Sequence, residues 1–272
     1  MICRLELTME DFIQTNRERW NALARANVEY TIPFLDFSVE QARQYVCRHD
    51  VLMDLAGKRV LCLASGGGQD TAAFGLLDAD VTILDLSDVQ LERDRQAAEH
   101  HGYPIATYQG DMRDLSRFEK DYFDVVWQVY SINFVPSVEP VFEGVRRVLK
   151  PGGVYFLQFA NPFVATVDEG AWNGKAYPLK DLYLDGEDMT RIFPDWDVTQ
   201  PDGTQIKLPG PHEYRHALST IMNALAGRDF GLLGIWEWIR TDKDPEPGSW
   251  AHFTQVAPPY LETFWRLDSL NG

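Results

Sequence analysis

The feature that most constrains the fold of this chain is an apolar run that ends in three consecutive glycines, VLCLASGGGQD at 60–70. The run has the length of a buried strand, and glycines allow the backbone after it to turn sharply or to approach a ligand closely. A helix is predicted to begin near Gln69, and its first N–H groups have no partner within the helix. This order of elements is typical of a nucleotide-binding α/β unit. Taken alone, the glycines are equally consistent with a simple tight turn.

Short apolar strands and amphipathic helices alternate after residue 58. The predicted strands are RVLCLA at 59–64, DVTILDLS at 80–87, IATYQGDM at 105–112, FDVVWQVYS at 123–131 and GVYFLQFA at 153–160. The helices between them are predicted to begin near Gln69, Asp88, Leu115 and Ser137. Continuous Val, Ile and Leu runs separated by helices are typical of a parallel sheet that is covered on both faces. We therefore predict a doubly wound α/β fold.

The flanking segments differ from this core. Helices are predicted over 8–30 and 38–55, the second capped by Ser38 and closed by Gly57. The C-terminal part is predicted to hold a helix that lies within 218–230 and ends at Gly227. Strands are predicted over 231–239 and 260–267, with a polar connection at 241–250. Residues 161–205 show no clear period, and long loops in compact domains are usually functional. The predicted parts are an N-terminal helical cap at 1–57, a cofactor-binding core at 58–160, an inserted lid or substrate region at 161–214, and a C-terminal helix with two strands at 215–272.

The charge of the chain limits its partners. The formal net charge of -16 repels polyanions, so we expect neither nucleic acid nor an anionic membrane surface as a partner. Cys3, Cys47 and Cys62 are widely scattered and form neither a disulfide framework nor a metal-binding pair. The sequence indicates no signal peptide and no segment that is long and apolar enough to cross a bilayer. We expect a cytoplasmic protein whose oligomeric state is open.

Acidic residues fall at the ends of the second and third predicted strands. Asp85 lies at the tip of the second strand, where a carboxylate can accept two hydrogen bonds from a ribose diol. Alternatively, Asp85 caps the helix that follows it. Asp111 and Met112 close the third strand with a carboxylate and an apolar side chain, which suit the amino group and the ring of adenine.

One alternative is a dinucleotide site. Gly66 and Gly68 match the first two glycines of the dinucleotide-binding fingerprint. Thr71, however, stands where a third Gly or Ala would let the helix pack closely on the strand. An NAD(P)-dependent oxidoreductase is therefore disfavoured, although it stays open as an alternative.

The motifs from Arg59 to Phe159 resemble those of the class I S-adenosylmethionine-dependent methyltransferases, of the small-molecule, methyltransferase domain 11-like type. These motifs are the glycine loop, LDLS, GDM and the LKPGG turn before the fifth strand. The likeness continues more loosely through 216–238 and 256–267. It implies a mostly parallel seven-stranded sheet, S-adenosyl-L-methionine as the cofactor, and methyl transfer to a small-molecule acceptor. The cofactor-binding residues that it implies are Tyr30, Ala64, Ser65, Gly66, Gly68, Gln69, Asp85, Leu86, Asp111, Met112 and Gln128.

The resemblance also assigns roles. The glycine loop contacts the methionine part of the cofactor, Asp85 holds the ribose, and Asp111 with Met112 holds the adenine. Gln128, just beyond the fourth strand, contacts the methionine end through its backbone. The N-terminal helices, with Tyr30, close over the cofactor.

One departure from the family pattern lies in the first strand. The family carries an acidic residue two positions before the first glycine of the loop, whereas Cys62 and Ala64 occupy the corresponding places here. A thiol does not orient an ammonium group as a carboxylate does. Either backbone carbonyl groups near Ala64 and Ser65 take over this task, or the cofactor binds more weakly.

Tyr130, His212 and His216 are the candidate catalytic residues. Methyl transfer by in-line displacement needs an aligned nucleophile and exclusion of water, and a hydroxyl or protonated amine acceptor benefits from a general base. For each histidine the alternative is a surface or capping role. The two histidines are four residues apart, but Pro209 and Pro211 argue against a helix there, so we expect no metal site.

The acceptor is less well defined. No carboxylate cluster follows the fourth strand, so a catechol-type Mg²⁺ site is not expected. The aromatic residues of the insertion suit a planar, apolar or cationic small molecule, or they merely anchor the segment; they are Phe163, Trp172, Tyr177, Tyr183 and Trp196. A non-catalytic adenosylmethionine-binding protein stays open as a third function class.

Overall fold

The computed structural model of the chain describes residues 9–192, 194–199 and 203–268. It divides into two compact units, which we describe separately. The first unit comprises Met1–Arg117 and Met189–Glu213, and the second comprises Phe118–Asp188 and Tyr214–Gly272. The segment 161–214, expected as one insertion, thus contributes residues to both units.

The predicted core strands are present, each within a few residues of its expected bounds. The helices of the described residues are α1 Met9–Arg25, α2 Val39–Val46, α3 Asp70–Gly75, α4 Asp88–His101, α5 Glu139–Val148, α6 Leu218–Ala226 and α7 Trp250–Val256. The strands are β1 Arg59–Leu63, β2 Asp80–Asp85, β3 Ile105–Gln109, β4 Phe123–Val129, β5 Leu149–Ala160, β6 Glu187–Asp188, β7 Asp195–Thr199, β8 Gln205–Pro209, β9 Tyr214–Arg215, β10 Phe230–Trp238 and β11 Tyr260–Leu267.

Seven strands form one mostly parallel sheet in the order β10-β11-β5-β4-β1-β2-β3. In the first unit, β1 pairs in parallel with β2, and β2 pairs in parallel with β3. In the second unit, β4 pairs in parallel with β5, whereas β11 lies antiparallel between β5 and β10. The predicted α/β fold with a doubly wound, seven-stranded sheet is confirmed.

The continuous apolar runs of the sequence have a direct structural reason. In β1 and β2 every residue after the first is buried, so neither face of these strands has a place for a polar, solvated side chain. In the second unit, Trp127 stacks on Phe156 with ring centroids 3.8 Å apart, and Phe156 lies 4.8 Å from Phe264. These rings join β4, β5 and β11 into one core.

The second predicted helix is shorter than expected. Its start is confirmed, because the Ser38 side chain accepts a hydrogen bond from the Gln41 N–H at 3.2 Å in a capping box. Its predicted end near Gly57 is wrong, since α2 ends at Val46. Shortly afterwards His49 has a φ of 67°, in the left-handed region, and this conformation stops a right-handed helix.

The helix predicted to begin near Leu115 is also wrong, and turns occupy this segment. The Asp114 carboxylate accepts a hydrogen bond from the Ser116 N–H at 3.0 Å. Such local bonds between side chain and backbone compete with a helix. Conversely, the polar connection at 241–250 leads into a short helix, α7, whose cap is Ser249.

The segment 161–214 contains short strands where irregular structure was expected. β6 pairs with β9 in the second unit, and β7 pairs with β8 in the first unit, both antiparallel. Val198 of β7 is buried with Leu23 and Val28, so this hairpin packs against the end of α1. None of the helices in the described ranges combines the length and the apolar composition needed to cross a membrane.

Candidate active site

The glycine loop leaves β1 in a strained turn in the first unit. The Ala64 N–H still donates to the Leu84 carbonyl oxygen at 2.7 Å, which continues the ladder between β1 and β2. Ala64 itself has a φ of 49°, a left-handed conformation that costs a residue with a side chain about 1–2 kcal/mol. Gly67 and Gly68 follow with φ values of 119° and 80°. The loop therefore turns sharply at the end of the strand, as predicted.

Three successive N–H groups of this loop point at carboxylates of the protein. The Gly66 N–H donates to Asp85 Oδ2 at 2.9 Å. The N–H groups of Gly67 and Gly68 donate to the two carboxylate oxygens of Asp94, at 3.2 and 3.0 Å. A bound phosphate needs such N–H groups for itself and is repelled by carboxylates. The loop is therefore poorly suited to the pyrophosphate of a dinucleotide.

Asp85 is almost completely buried, with 5% of its surface exposed. Its Oδ1 accepts a hydrogen bond from the Ser87 N–H at 2.8 Å. Burial raises the pKa of Asp85 to about 6, and the N–H donors of Ser87 and Gly66 oppose this rise. Ser87, and not Asp85, caps α4, because its hydroxyl accepts from the Gln90 N–H at 3.1 Å. The Leu86 N–H is a third backbone donor to the Asp85 carboxylate, so of its roughly four lone-pair sites about one is left for a ligand hydroxyl.

Asp94 on α4 is a residue of this site that the sequence analysis missed. It has no exposed surface, and besides the two glycine N–H groups it accepts a hydrogen bond from the Thr71 hydroxyl at 2.7 Å. Burial raises its pKa to about 8, and the nearby charge of Asp85 adds to the rise. Thr71, the residue that breaks the dinucleotide pattern, is thus a hydrogen-bond donor. The available sequence signal was a carboxylate on the apolar face of α4, three residues after Leu91.

The close packing at Gly66 comes from the protein itself. A Cβ atom at this position would lie 2.9 Å from Asp85 Oδ2 and 2.9 Å from Gln90 Cβ. The expectation that Gly66 also allows the approach of a ligand stays a prediction. The glycine is already needed so that the loop can reach Asp85.

The segment that follows α1 lies over the glycine loop. The Gln69 side-chain amide donates to the carbonyl oxygens of Glu29 and Ile32 at 3.1 and 2.9 Å. The Phe34 N–H donates to the Gly68 carbonyl oxygen at 3.2 Å. Tyr30 belongs to this segment and is 46% exposed. The two hydrogen bonds of the Gln69 side chain thus hold the segment that contains Tyr30 beside the loop.

The predicted adenine-binding residues lie at the end of β3. The Arg113 Nε donates to both oxygens of Asp111 at 3.0 Å, so this carboxylate is already paired with a cation. Arg113 also lies 5.4 Å from the centre of the Phe12 ring of α1. Met112 and Leu86 are half-buried, and the Leu86 carbonyl oxygen accepts from the Gln109 side chain at 3.1 Å.

Two buried polar atoms beside the glycine loop have no hydrogen-bond partner in the part of the chain that the structure describes. They are Ser65 Oγ and Gln90 Oε1. A buried polar atom without a partner costs about 1–3 kcal/mol. Together with Asp85, these atoms provide both donors and acceptors to a polar ligand at the loop.

Gln128 belongs to the second unit and lies inside β4, not just beyond it as expected. Its side-chain amide donates to the Ser131 hydroxyl at 3.0 Å and accepts from the Tyr155 hydroxyl at 2.5 Å. Because the side chain is engaged in this buried network, only its backbone is left for the expected role.

Tyr130 follows β4 directly, with a φ of 57° in the left-handed region. Its ring contacts Phe134 and Tyr260 edge-on, with centroids 5.6 and 5.4 Å apart. Its N–H donates to the Gln158 carbonyl oxygen at 2.9 Å. Strained residues are frequent at functional sites, and this position is consistent with the role predicted for Tyr130.

The two candidate histidines belong to different units. His216 is buried in the second unit, and its Nε2 lies 3.0 Å from the Val135 carbonyl oxygen, to which it donates. Burial lowers the pKa of His216, so its ring is neutral at physiological pH. His212 lies in the first unit, where its N–H donates to Asn16 Oδ1 at 2.7 Å. Both contacts resemble the structural role that was the alternative for each histidine.

The aromatic residues of 161–214 mostly pack on one another. Phe163 stacks on Tyr183, with centroids 4.9 Å apart. Trp172 contacts both Tyr177 and His252, and the Tyr177 hydroxyl lies 2.8 Å from His252 Nδ1. In the first unit, Trp196 contacts Trp20 and Tyr30. These contacts favour the anchoring role for most of the set. Within the described ranges, no group of three or more His, Cys, Asp or Glu side chains is placed to hold a metal ion.

Comparison with known proteins gives a consistent result. The methyltransferase domain family model matches residues 61–157. The chain is 34% identical over 195 residues to the uncharacterized methyltransferase YbaJ of Bacillus subtilis, a match that covers 67% of this chain and 76% of that protein. It is also 38% identical over 104 residues to a probable phthiotriol/phenolphthiotriol dimycocerosates methyltransferase 2 of Mycobacterium ulcerans, covering 38% of this chain and only 39% of that protein.

A solved structure has the same fold. The S-adenosylmethionine dependent methyltransferase from Mesorhizobium loti superimposes with a TM-score of 0.59 at 20% sequence identity, covering 85% of this chain and 99% of that chain. The fold and the relatives define an enzyme of the methyltransferase class. The chain belongs to the class I S-adenosylmethionine-dependent methyltransferase family. Its cofactor is S-adenosyl-L-methionine, as predicted, and the oxidoreductase and non-catalytic alternatives are not supported.

Proposed function

We propose that this enzyme transfers the methyl group of S-adenosyl-L-methionine to a small-molecule acceptor by in-line displacement. The observation that carries the proposal is the orientation of the glycine loop. Since its N–H groups at 66–68 point at Asp85 and Asp94, the loop is suited to the cationic methionine end of this cofactor and not to a phosphate.

The residues of the first unit fit the cofactor in the following arrangement. Asp85 accepts a hydrogen bond from the ribose diol beside its backbone donors Gly66, Leu86 and Ser87. Leu86, Asp111 and Met112 hold the adenine at the end of β3. The residues of the loop that hold the methionine part are Ala64, Ser65, Gly66, Gly68 and Gln69, and Ser65 supplies the buried hydroxyl that lacks a partner among the described residues. Tyr30, whose segment is held by the hydrogen bonds of the Gln69 side chain, covers the methionine part of the cofactor.

The cofactor supplies an electrophilic methyl group on a sulfonium ion. With this group bound, a lone pair of the acceptor would form the new bond to carbon while the electrons of the carbon–sulfur bond return to sulfur. The protein contributes alignment and exclusion of water. If the acceptor atom carries a proton, a base receives it; we propose Tyr130 first among the candidates, since the Nε2 of His216 is occupied by the Val135 carbonyl group. His212 is the remaining candidate, on the first unit.

The acceptor is proposed to be apolar. The named substrates of the Mycobacterium ulcerans relative are phthiotriol and phenolphthiotriol dimycocerosates, although the match covers only 38% of this chain. Exposed apolar residues in the second unit, including Phe163, Leu179 and Leu182, offer contacts for such a molecule. The net charge of -16 opposes binding of nucleic acid. We also propose the cytoplasm as the location, since Cys47 and Cys62 are free thiols.

A fractionated transfer assay tests this proposal. The enzyme is incubated with methyl-labelled S-adenosylmethionine and a cell extract, and label is counted in three fractions: organic-soluble, water-soluble of low mass, and acid-precipitable. We expect label in the organic fraction, dependent on the enzyme. Enzyme-dependent label confined to the acid precipitate identifies a macromolecular acceptor and contradicts the proposal. Boiled enzyme serves as the control.

A further inference from the structure

We propose that Asp94 is the positioning residue of the glycine loop. Its carboxylate takes over from the acid that β1 lacks, and it turns the loop so that carbonyl oxygens face the amino-acid end of the cofactor. This inference rests on the proposed placement of S-adenosylmethionine at the loop, and it concerns a residue of α4 that lies outside the motifs of the sequence.

The contacts of Asp94 are directed at the loop and its helix. Oδ1 accepts from the Gly68 N–H at 3.0 Å and from the Thr71 hydroxyl at 2.7 Å, and Oδ2 accepts from the Gly67 N–H at 3.2 Å. Burial of a carboxylate is costly unless hydrogen bonds compensate it. Three donors on one carboxylate provide this compensation, and all of them come from residues 67–71. The hydrogen bonds that offset the burial of Asp94 therefore form only when the loop has this conformation.

The place where an acid is missing is close to Asp94. Cys62 in β1 is buried, and burial together with the charges of Asp70 and Asp94 raises the pKa of its thiol well above the usual value. Cys62 therefore stays neutral and adds no negative charge. Asp94 supplies a carboxyl group from α4 instead, on the side of the loop that the N–H groups face.

The orientation of the loop determines which ligand groups it accepts. The N–H groups at 66–68 are bonded to Asp85 and Asp94, and the Gly68 carbonyl oxygen is bonded to the Phe34 N–H. We therefore assign the contact with the cofactor to the carbonyl oxygens at 64–67. Carbonyl oxygens accept hydrogen bonds from an ammonium group, which is a donor only. Asp94 thus acts on the cofactor through the loop, and its effect is confined to the end of the cofactor that carries the ammonium group.

Two ligands separate this role from a general structural role. S-adenosylhomocysteine carries the amino-acid end, whereas methylthioadenosine keeps the adenosine and lacks the amino and carboxyl groups. Asp94→Asn keeps the shape of the side chain but sets an amide against one N–H of the loop. Calorimetric titration of this variant above the Asp94 pKa of about 8, where the wild-type carboxyl group is ionised, is expected to show a loss of about tenfold in affinity for S-adenosylhomocysteine. Its affinity for methylthioadenosine is expected to change less than about twofold.

Three variants serve as matched controls. Asp85→Asn removes a contact to the ribose, which both ligands share, and is expected to weaken both. Leu91→Ala truncates a buried neighbour on α4 and is expected to lower the melting temperature while both affinities stay unchanged. Thr71→Val removes one donor to Asp94 and leaves both its glycine contacts, so it is expected to give a smaller but equally selective loss. It replaces Asp94→Asn if that variant does not fold.

The outcomes differ clearly. Selective loss of S-adenosylhomocysteine affinity supports the positioning role. Equal loss for both ligands, or unchanged affinity for both, overturns it, because Asp94 then acts on the whole fold or not on the site. If the wild-type protein binds neither ligand, the proposed placement of the cofactor fails, and this result is distinct from either outcome for Asp94.

Discussion

The Arg93 guanidinium group of α4 donates a hydrogen bond to the Thr31 carbonyl oxygen at 2.6 Å. The same group donates to Asn27 Oδ1 at 2.8 Å and to the Ala24 carbonyl oxygen at the end of α1. One side chain thus holds the end of α1 and two points of the segment that follows it over the glycine loop. Arg93 and Gln69 bind this segment from two sides, one from α4 and one from the loop.

We predict that Arg93→Ala loosens this segment. The hydrogen bonds of the guanidinium group to the backbone are lost, which lowers the free energy of unfolding by about 1–3 kcal/mol. Limited proteolysis is expected to cut within 24–34 faster than in the wild type, and affinity for S-adenosylhomocysteine is expected to fall. Arg95→Ala is the control, because this arginine of the same helix is exposed and pairs with Glu92 at 2.8 Å. Equal cleavage rates for the two variants contradict the prediction.

Gly66→Ala tests the packing of the loop on Asp85. The added Cβ atom would lie 2.9 Å from Asp85 Oδ2, so the loop must move away from the carboxylate. We expect the variant to fold, with a stability loss of about 1–3 kcal/mol, and to bind S-adenosylhomocysteine at least about tenfold more weakly. Gly170→Ala is the control, since its Cβ atom would meet only Asp168 Oδ1 at 3.9 Å. Wild-type affinity of Gly66→Ala would mean that the loop does not contribute to the site.

The sheet and the first part of this site were predictable because their signals are local. The strand β1 and the glycines after it are adjacent in the sequence, and β2 ends directly at Asp85. Apolar runs predict buried strands irrespective of what covers them. For the same reason the family resemblance could be stated from motifs that are each only a few residues long.

Contacts between distant residues could not be predicted in this way. Asp94 meets Thr71 across 23 positions of sequence, and Gln69 meets Glu29 across 40. The local sequence does not indicate which distant residue will form a hydrogen bond with a buried carboxylate or amide. The false helix near Leu115 has the opposite cause, since a local bond between Asp114 and Ser116 overrides the periodic pattern.

Asp94 is predicted to make the stability of the protein depend on pH. In the folded state, burial raises its pKa from 3.8 to about 8. The folded state then holds this proton more tightly than the unfolded chain does. The contribution of the group to stability is therefore fully present below pH of about 4 and is lost as the pH rises to about 8. The titratable groups that face Asp94 are Asp85, Cys62 and Tyr103.

Urea unfolding of Asp94→Asn and the wild type checks this dependence. The amide resembles the protonated acid, so we expect the variant to gain stability relative to the wild type as the pH is raised from about 5 to about 8. Glu99→Gln, an exposed position on the same helix, is the control and is expected to show a constant difference. A constant difference for Asp94→Asn as well would show that its carboxyl group does not titrate in this range.

Tyr130 and His216 are the two catalytic candidates of the second unit, and conservative substitutions distinguish their roles. Tyr130→Phe keeps the ring contacts to Phe134 and Tyr260 and removes only the hydroxyl group. If that hydroxyl receives the proton of the acceptor, the turnover number falls by about 100-fold or more, while cofactor affinity and melting temperature stay unchanged.

His216→Gln has the opposite expectation. Its ring is buried against the Val135 carbonyl group, so the melting temperature is expected to fall, whereas turnover per folded molecule stays near that of the wild type. Both rates are measured with the acceptor that the fractionated assay identifies. A large loss of turnover in His216→Gln at unchanged stability would reverse the assignment and make His216 the base.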